Sequence, residues 1–73
     1  MLIVKELENT CMACPSQWEG KTVANEEVYI RYRWGTLRVD LNGETIFSAD
    51  CGDAYDGSME TDEMLELTGI RLI

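Results

Sequence analysis

The sequence predicts an α+β fold: a curled antiparallel sheet of four or five strands, arranged as a meander and partly barrel-like, with one short C-terminal helix. Apolar and polar residues alternate from Val28 to Trp34 and again from Leu37 to Leu41, the period-two pattern of half-buried strands. An Asn42-Gly43 pair follows, and it indicates a hairpin because both central positions of a type I′ turn need a positive φ. Helix signals occur only near the C-terminus.

The remaining strands are predicted from shorter patterns. Leu2 to Leu7 is apolar-rich, Gln17 to Val23 gives a second strand with a weak point or bulge at Gly20, and Glu44 to Ala49 completes the second hairpin. The stretch from Glu8 to Ser16 is predicted to be a loop. All elements belong to a single domain, residues 1–73.

Two turns fix the predicted register. Two-residue turns at Trp34-Gly35 and Asn42-Gly43 place Tyr32 opposite Leu37, and Val39 opposite both Ile30 and Ile46. A one-residue slip in either hairpin would break the apolar surface that results. The predicted core face consists of Val28, Ile30, Tyr32, Leu37, Val39, Leu41 and Ile46.

The C-terminal segment carries the signals of a short helix. Thr61 is the predicted N-cap, Asp62 and Glu63 suit the positive end of the helix dipole, and Gly69 suits its left-handed end. The residues predicted to share a face are Met64, Leu65 and Thr68. Residues 70–73 would close the chain as a brief strand or a packed tail, beside the first strand.

A chain of 73 residues hides only about 60% of the surface that its unfolded form exposes. Stability is therefore marginal, and a homo-oligomer, a bound metal or a disulfide would each add to it. The cysteines are candidates for binding the metal or for forming the disulfide.

The net charge of −8 gives a pI near 4.2, which argues against direct binding to nucleic acid or to a membrane surface. From Asp50 to Glu66 there are seven carboxylates and no Lys or Arg, so we expect an acidic pole. The first apolar residues are followed at once by Lys5 and Glu6, too soon for a membrane span or a signal-peptide core. These observations predict a cytoplasmic protein.

Three cysteines and no histidine make an incomplete metal motif. Cys11, Cys14 and Cys51 can supply three ligands of a structural zinc, with Asp53 or Asp50 as the fourth. The meander brings Cys14 and Cys51 to one end of the sheet but about 14 Å apart, so a metal site requires the sheet to close. The alternative is that all three are small, partly buried thiols without a ligand.

A thiol redox protein is a further alternative for the Cys11-Met-Ala-Cys14 spacing. Thioredoxin-like enzymes follow this motif with a long helix, whereas Pro15, Ser16 and Gln17 lead into a strand here. The chain also lacks a histidine base and a glycine-rich phosphate loop, so we expect no enzyme.

The face opposite the core concentrates arginine. The predicted register opposes Arg31 to Arg38, and directly opposed like charges cost stability unless something compensates them. The face is then either neutralised by neighbours and solvent, or it binds a phosphate, a carboxylate or an acidic protein partner. The candidate partner-binding residues are Tyr29, Arg31, Arg33, Arg38 and Phe47, with Phe47 predicted to lie beside Arg38.

The two tryptophans have different expected roles. Trp18 lies in the second predicted strand and is expected in the core. Trp34 occupies a turn, where it either covers the cysteine loop or forms an exposed interface anchor.

The segments Cys-Met-Ala-Cys-Pro-Ser-Gln-Trp-Glu-Gly (11–20) and Val-Tyr-Ile-Arg-Tyr-Arg-Trp-Gly-Thr-Leu (28–37) resemble those of short uncharacterised bacterial and phage proteins. Together they cover about half of the chain. The resemblance implies a small freestanding protein of phage or prophage origin, and it transfers no catalytic residue.

The sequence thus predicts a small non-enzymatic binding module that contacts an acidic partner through its arginine-rich sheet face. The alternative is an inhibitor that works through the acidic pole, with Asp53, Asp56 and Glu60 imitating nucleic-acid phosphates.

Overall fold

A computed structural model of the chain describes residues 2–11, 16–50 and 59–73. In chain order the elements are β1 (Ile3–Cys11), β2 (Ser16–Thr22), β3 (Glu27–Arg33), β4 (Thr36–Leu41), β5 (Glu44–Asp50), α1 (Thr61–Thr68) and β6 (Arg71–Leu72).

The strands form one curled sheet in the order β5-β4-β3-β2-β1-β6, a half-barrel. The first five strands are an antiparallel meander, which confirms the curled, mainly antiparallel sheet with one short helix. The predicted four or five strands are wrong, because β6 adds a sixth and lies parallel to β1. Two backbone hydrogen bonds hold it there: Arg71 N donates to Leu2 O at 3.0 Å and Ile73 N donates to Val4 O at 3.1 Å.

Strand β1 is longer than its sequence pattern predicts. The residues from Glu8 to Cys11 were expected in a loop, but they pair with β2. Single-residue register shifts at Lys5 and Thr10 interrupt the alternation of apolar and polar residues, which is why the pattern stops early.

Gly20 marks a close approach between β1 and β2. A Cβ atom at this position would lie 2.0 Å from the backbone oxygen of Glu6. The irregularity expected at Gly20 therefore lies in the opposite strand, where the bulge at Lys5 pushes the β1 backbone against it.

The β3–β4 hairpin has the predicted register at every pair. Trp34 and Gly35 have φ values of 56° and 76°, and Asn42 and Gly43 have 51° and 84°. Positive φ at both central residues is the requirement of a type I′ turn. The Trp34-Gly35 turn thus fixes the register of β3 against β4, and the Asn42-Gly43 turn places Leu41 opposite Glu44 at the start of β5.

The β4–β5 register departs from the prediction. Val39 pairs with Phe47 instead of Ile46, because one extra residue bulges from β5. Ile46 is consequently 43% exposed, and Phe47 packs against the core. The assignment of Ile46 to the core face is wrong.

Helix α1 covers the concave side of the sheet. Trp18 is fully buried, and its indole Nε1 donates to Thr61 Oγ1 at 2.9 Å. Ser16 Oγ accepts from the backbone N of Met59 at 3.0 Å. The buried core consists of Val4, Trp18, Val28, Ile30, Tyr32, Leu37, Val39, Met64 and Ile70.

The ends of α1 differ in how well the sequence predicts them. Gly69 ends the helix with φ 73°, and its N–H donates to Leu65 O at 3.0 Å, as expected. The N-cap is Glu60 and not Thr61, and no side chain bonds to this end among the described residues. Thr61 is the first helical residue, and its hydroxyl accepts the hydrogen bond from Trp18.

We expect Gly20→Ala to destabilise the fold by about 3 kcal/mol or more, because a backbone carbonyl cannot rotate away from the added methyl group. Gly43→Ala is the control: it meets no atom within 4 Å and costs only the positive φ, about 1 kcal/mol. Urea unfolding of both variants measures the difference. Equal losses would contradict the close approach at Gly20.

We expect Thr61→Val to cost about 1–3 kcal/mol, since the buried indole N–H of Trp18 loses its acceptor. Thr10→Val removes an exposed hydroxyl of β1 and should change the stability by less than about 0.5 kcal/mol. Thermal unfolding followed by circular dichroism compares the two. A Thr61 variant as stable as the Thr10 variant would show that the indole needs no partner.

Candidate functional site

The sheet face opposite α1 and the core carries most of the charged side chains of the strands, and we term it the outer face. Its residues form rows across neighbouring strands. One row is Cys11, Gln17, Arg31, Arg38 and Ser48. The next row is Glu8, Glu19, Tyr29, Asp40 and Thr45.

One part of this face, the arginine half, lies on β3, β4 and the turn between them. Arg31 is directly opposite Arg38, and Arg33 is opposite Thr36, as the sequence predicts. These four residues and Trp34 line a shallow groove of about 270 Å³. The register alone therefore brings three of the four arginines together.

The arginine half is only partly neutralised. Arg38 Nε lies 3.3 Å from Asp40 Oδ1, the one ion pair in the described part of the chain. Even so, Arg38 Nε lacks hydrogen-bonding geometry, and Arg31 Nε finds no acceptor among the described residues. Both nitrogens are shielded from solvent, so each carries a desolvation cost that no hydrogen bond from the described residues offsets.

Trp34 stands at the edge of the same groove. Its side chain is 57% exposed, and the Arg33 guanidinium lies 5.1 Å from the ring centroid, within cation–π distance. Its φ of 56° is unusual for a bulky residue, since type I′ turns favour Asn, Asp and Gly here. The turn thus displays a large aromatic ring at some cost in backbone energy.

The other two aromatic candidates lie elsewhere. Tyr29 pairs with Asp40 on the outer face and is half-buried, beside the arginine half rather than in its groove. Phe47 faces the core because of the β5 bulge, and Ser48 takes the place opposite Arg38. The predicted position of Phe47 beside Arg38 is wrong.

A second groove on the outer face was missed from the sequence. It has a volume of about 670 Å³, and we term it the carboxylate groove. Its charged lining residues are Glu6, Glu8, Glu19, Lys21, Glu27 and Asp40. Glu8 is directly opposite Glu19, a second like-charge pair. The opposition of Glu8 and Glu19 follows only from the bulged register of β1, and no simple sequence pattern indicates that register.

The cysteine hypotheses rest largely on residues outside the described ranges. Cys11 ends β1 as a half-buried free thiol, paired with Gln17 on the outer face. Cys14, Cys51 and Asp53 lie outside residues 2–11, 16–50 and 59–73. Within those ranges no group of three Cys, Asp or Glu side chains could hold a metal ion. The zinc site stays a prediction.

The acidic pole is described only in part. Asp50 accepts a hydrogen bond from Thr36 Oγ1 at 2.8 Å, while Asp53 and Asp56 lie outside the described ranges. The remaining acids of the pole, Glu60, Asp62, Glu63 and Glu66, are exposed on or beside α1. They lie on the side of the sheet that α1 covers.

Comparisons with known proteins give no relative. No protein-family model matches the chain, and no curated protein or solved structure matches it significantly. The resemblance of two segments to short bacterial and phage proteins stays a prediction. Across the described residues, no helix is long and apolar enough to cross a membrane.

We expect Arg31→Gln to raise the stability by about 0.2–1 kcal/mol, because it removes the like-charge opposition to Arg38. Arg71→Gln makes the same charge change at the far end of the sheet and serves as the control. Chemical unfolding of the two variants gives the comparison. A loss of stability confined to Arg31→Gln would show that this guanidinium is compensated within the chain.

Proposed function

We propose that this chain is a small non-enzymatic binding module whose contact surface is the arginine half, with Trp34 beside it. The observation that carries the proposal is the Arg31–Arg38 pair: two directly opposed guanidiniums whose Nε atoms are shielded from solvent and lack a hydrogen-bond partner among the described residues. An anion bound at the outer ends of the two guanidiniums relieves the repulsion between them.

The chemistry of the arginine half favours an acidic partner. Guanidinium groups bind carboxylates and phosphates through paired, charge-assisted hydrogen bonds, each contributing about 1.5–3 kcal/mol. Asp40 already holds Arg38, so Arg31 and Arg33 are the two cations that retain most of their capacity. The groove is shallow, which suits a side chain on a protein surface more than an enclosed small molecule.

Trp34 adds an apolar contact to this charged surface. Arg33 lies over its ring and the side chain is largely exposed, so the pair offers a flat platform next to the cationic groove. Tryptophan and arginine are the residue types that most often dominate binding energy at protein interfaces.

Inhibition through the acidic pole and thiol redox chemistry are the alternatives. The described acids of the pole are exposed, as an inhibitor of this kind requires, but exposure is equally expected of acids that only keep a protein soluble. The redox alternative depends on Cys14, which lies outside the described residues. We favour binding through the arginine half over both alternatives, because Arg31 and Arg33 have no ion-pair partner among the described residues.

The test is a titration with a soluble poly-glutamate peptide, read by tryptophan fluorescence and by calorimetry. Trp34 is exposed beside the groove and Trp18 is buried, so a fluorescence change on binding reports Trp34. We expect saturable binding that Arg31→Gln weakens at least 5-fold and Arg71→Gln leaves within 2-fold. Equal effects of the two substitutions would show that only net charge matters, and would overturn the proposal.

We expect Trp34→Asn to stabilise the fold and to weaken binding of the same peptide. Asparagine adopts positive φ more readily than tryptophan, so the turn gains up to about 1 kcal/mol. Loss of the exposed ring removes the platform beside Arg33. Unfolding and titration on one sample measure both effects, and unchanged affinity would remove Trp34 from the contact surface.

A further inference from the structure

The outer face is divided by charge, and each part holds a like-charge pair. The arginine half contains Arg31 opposite Arg38, and the carboxylate groove contains Glu8 opposite Glu19. The rows that carry these pairs are neighbours, two residues apart along β2, β3 and β4, or about 7 Å. The arginine pair lies on β3 and β4 and the glutamate pair on β1 and β2, so the face changes sign both along and across the strands.

Few of these charges are paired with one another among the described residues. One ion pair joins the two parts, between Arg38 of the arginine half and Asp40 of the carboxylate groove. Arg31 and Glu19 lie diagonally across β2 and β3 without reaching each other. The Glu8–Glu19 pair thus keeps its repulsion in the isolated chain, and the Arg31–Arg38 pair keeps the part that Asp40 does not offset.

We propose that the acidic partner of the arginine half is the carboxylate groove of a second copy of this chain, in a two-fold symmetric dimer joined by the outer faces. The inference rests on the proposed function, because it names the partner of the same site. A two-fold interface uses the same patch on both copies, so each arginine half meets the opposite groove and the contact is made twice. Both like-charge pairs gain opposite charges at once.

The shape of the molecule limits such an interface to the two grooves. Its long extents are 35 and 20 Å and the outer face is the convex side of the half-barrel, so the contact is smaller than the roughly 800 Å² that each partner buries in a standard-size complex, and we expect a weak dimer. The carboxylate groove has room for arginine side chains, with a volume of about 670 Å³. The acids on α1 lie on the opposite side of each copy, away from the contact.

Net charge makes the dimer sensitive to salt. Two chains of net charge −8 repel at low ionic strength, where charges act over about 30 Å at 0.01 M. At 0.15 M this distance falls to about 8 Å, which screens the remote acids while the contacts inside the interface persist. We expect association to be strongest near this ionic strength and to weaken again at 1 M salt.

Charge exchange between copies tests the inference by sedimentation velocity. One variant carries Arg31→Glu with Arg38→Glu, and the other carries Glu8→Lys with Glu19→Lys. Each keeps a like-charge cross-strand pair. The net charge becomes −8 − 4 = −12 in the first and −8 + 4 = −4 in the second, and their mixed dimer has the same total charge as the wild-type dimer. We expect a wild-type dimer, monomers of each variant alone, and a dimer in the equimolar mixture, where the unaltered half of each copy meets a complementary surface.

The outcomes separate this inference from the proposed function. A monomeric wild type at 0.5 mM, or a dimer that persists in both variants, overturns the self-association through the outer face. If the wild type is monomeric yet binds poly-glutamate through Arg31, the proposed function stands and the inference alone fails. Circular dichroism verifies that each variant is folded. If either charge-reversed chain does not fold, the milder double variant Arg31→Gln with Glu19→Gln replaces it, and we expect it to weaken the dimer at least 10-fold.

Discussion

The buried indole of Trp18 is the point at which the sheet and the helix of this small domain are joined. The ring fills the centre of the core, and its one polar atom is satisfied by Thr61 at the start of α1. Because side chains alternate along a strand, placing Trp18 inward also turns Gln17 and Glu19 outward. The packing of one aromatic side chain therefore fixes which residues of β2 belong to the outer face.

The sequence was sufficient wherever a local rule dictates a unique geometry. The Trp34-Gly35 turn, with positive φ at both residues, determines the β3–β4 register and through it the opposition of Arg31 and Arg38. The turn rule failed for the β4–β5 hairpin, where a bulge in β5 absorbs an extra residue. Ile46 and Phe47 are both apolar, so the sequence pattern alone does not decide which of them faces the core, and the register shift in β5 decides it.

The candidate site was likewise predictable in its regular part and not in its bulged part. The arginine half follows from a regular hairpin and could be predicted, but the carboxylate groove depends on two bulges in β1 that place Glu8 opposite Glu19. Thr61 was misassigned for a different reason. Its hydroxyl has two competing partners, the helix backbone and the Trp18 indole, and only the tertiary structure shows which one it serves.

The bulge at Ile46 also bears on aggregation. Strand β5 is an edge of the open half-barrel, and a regular edge would offer an uninterrupted row of backbone donors and acceptors to the same strand of another molecule. The extra residue breaks that row in its middle, and Glu44 and Asp50 add like charges at its two ends. Growth of the sheet from copy to copy is thereby hindered, which leaves contacts of finite size to the outer face rather than to the edge of the sheet.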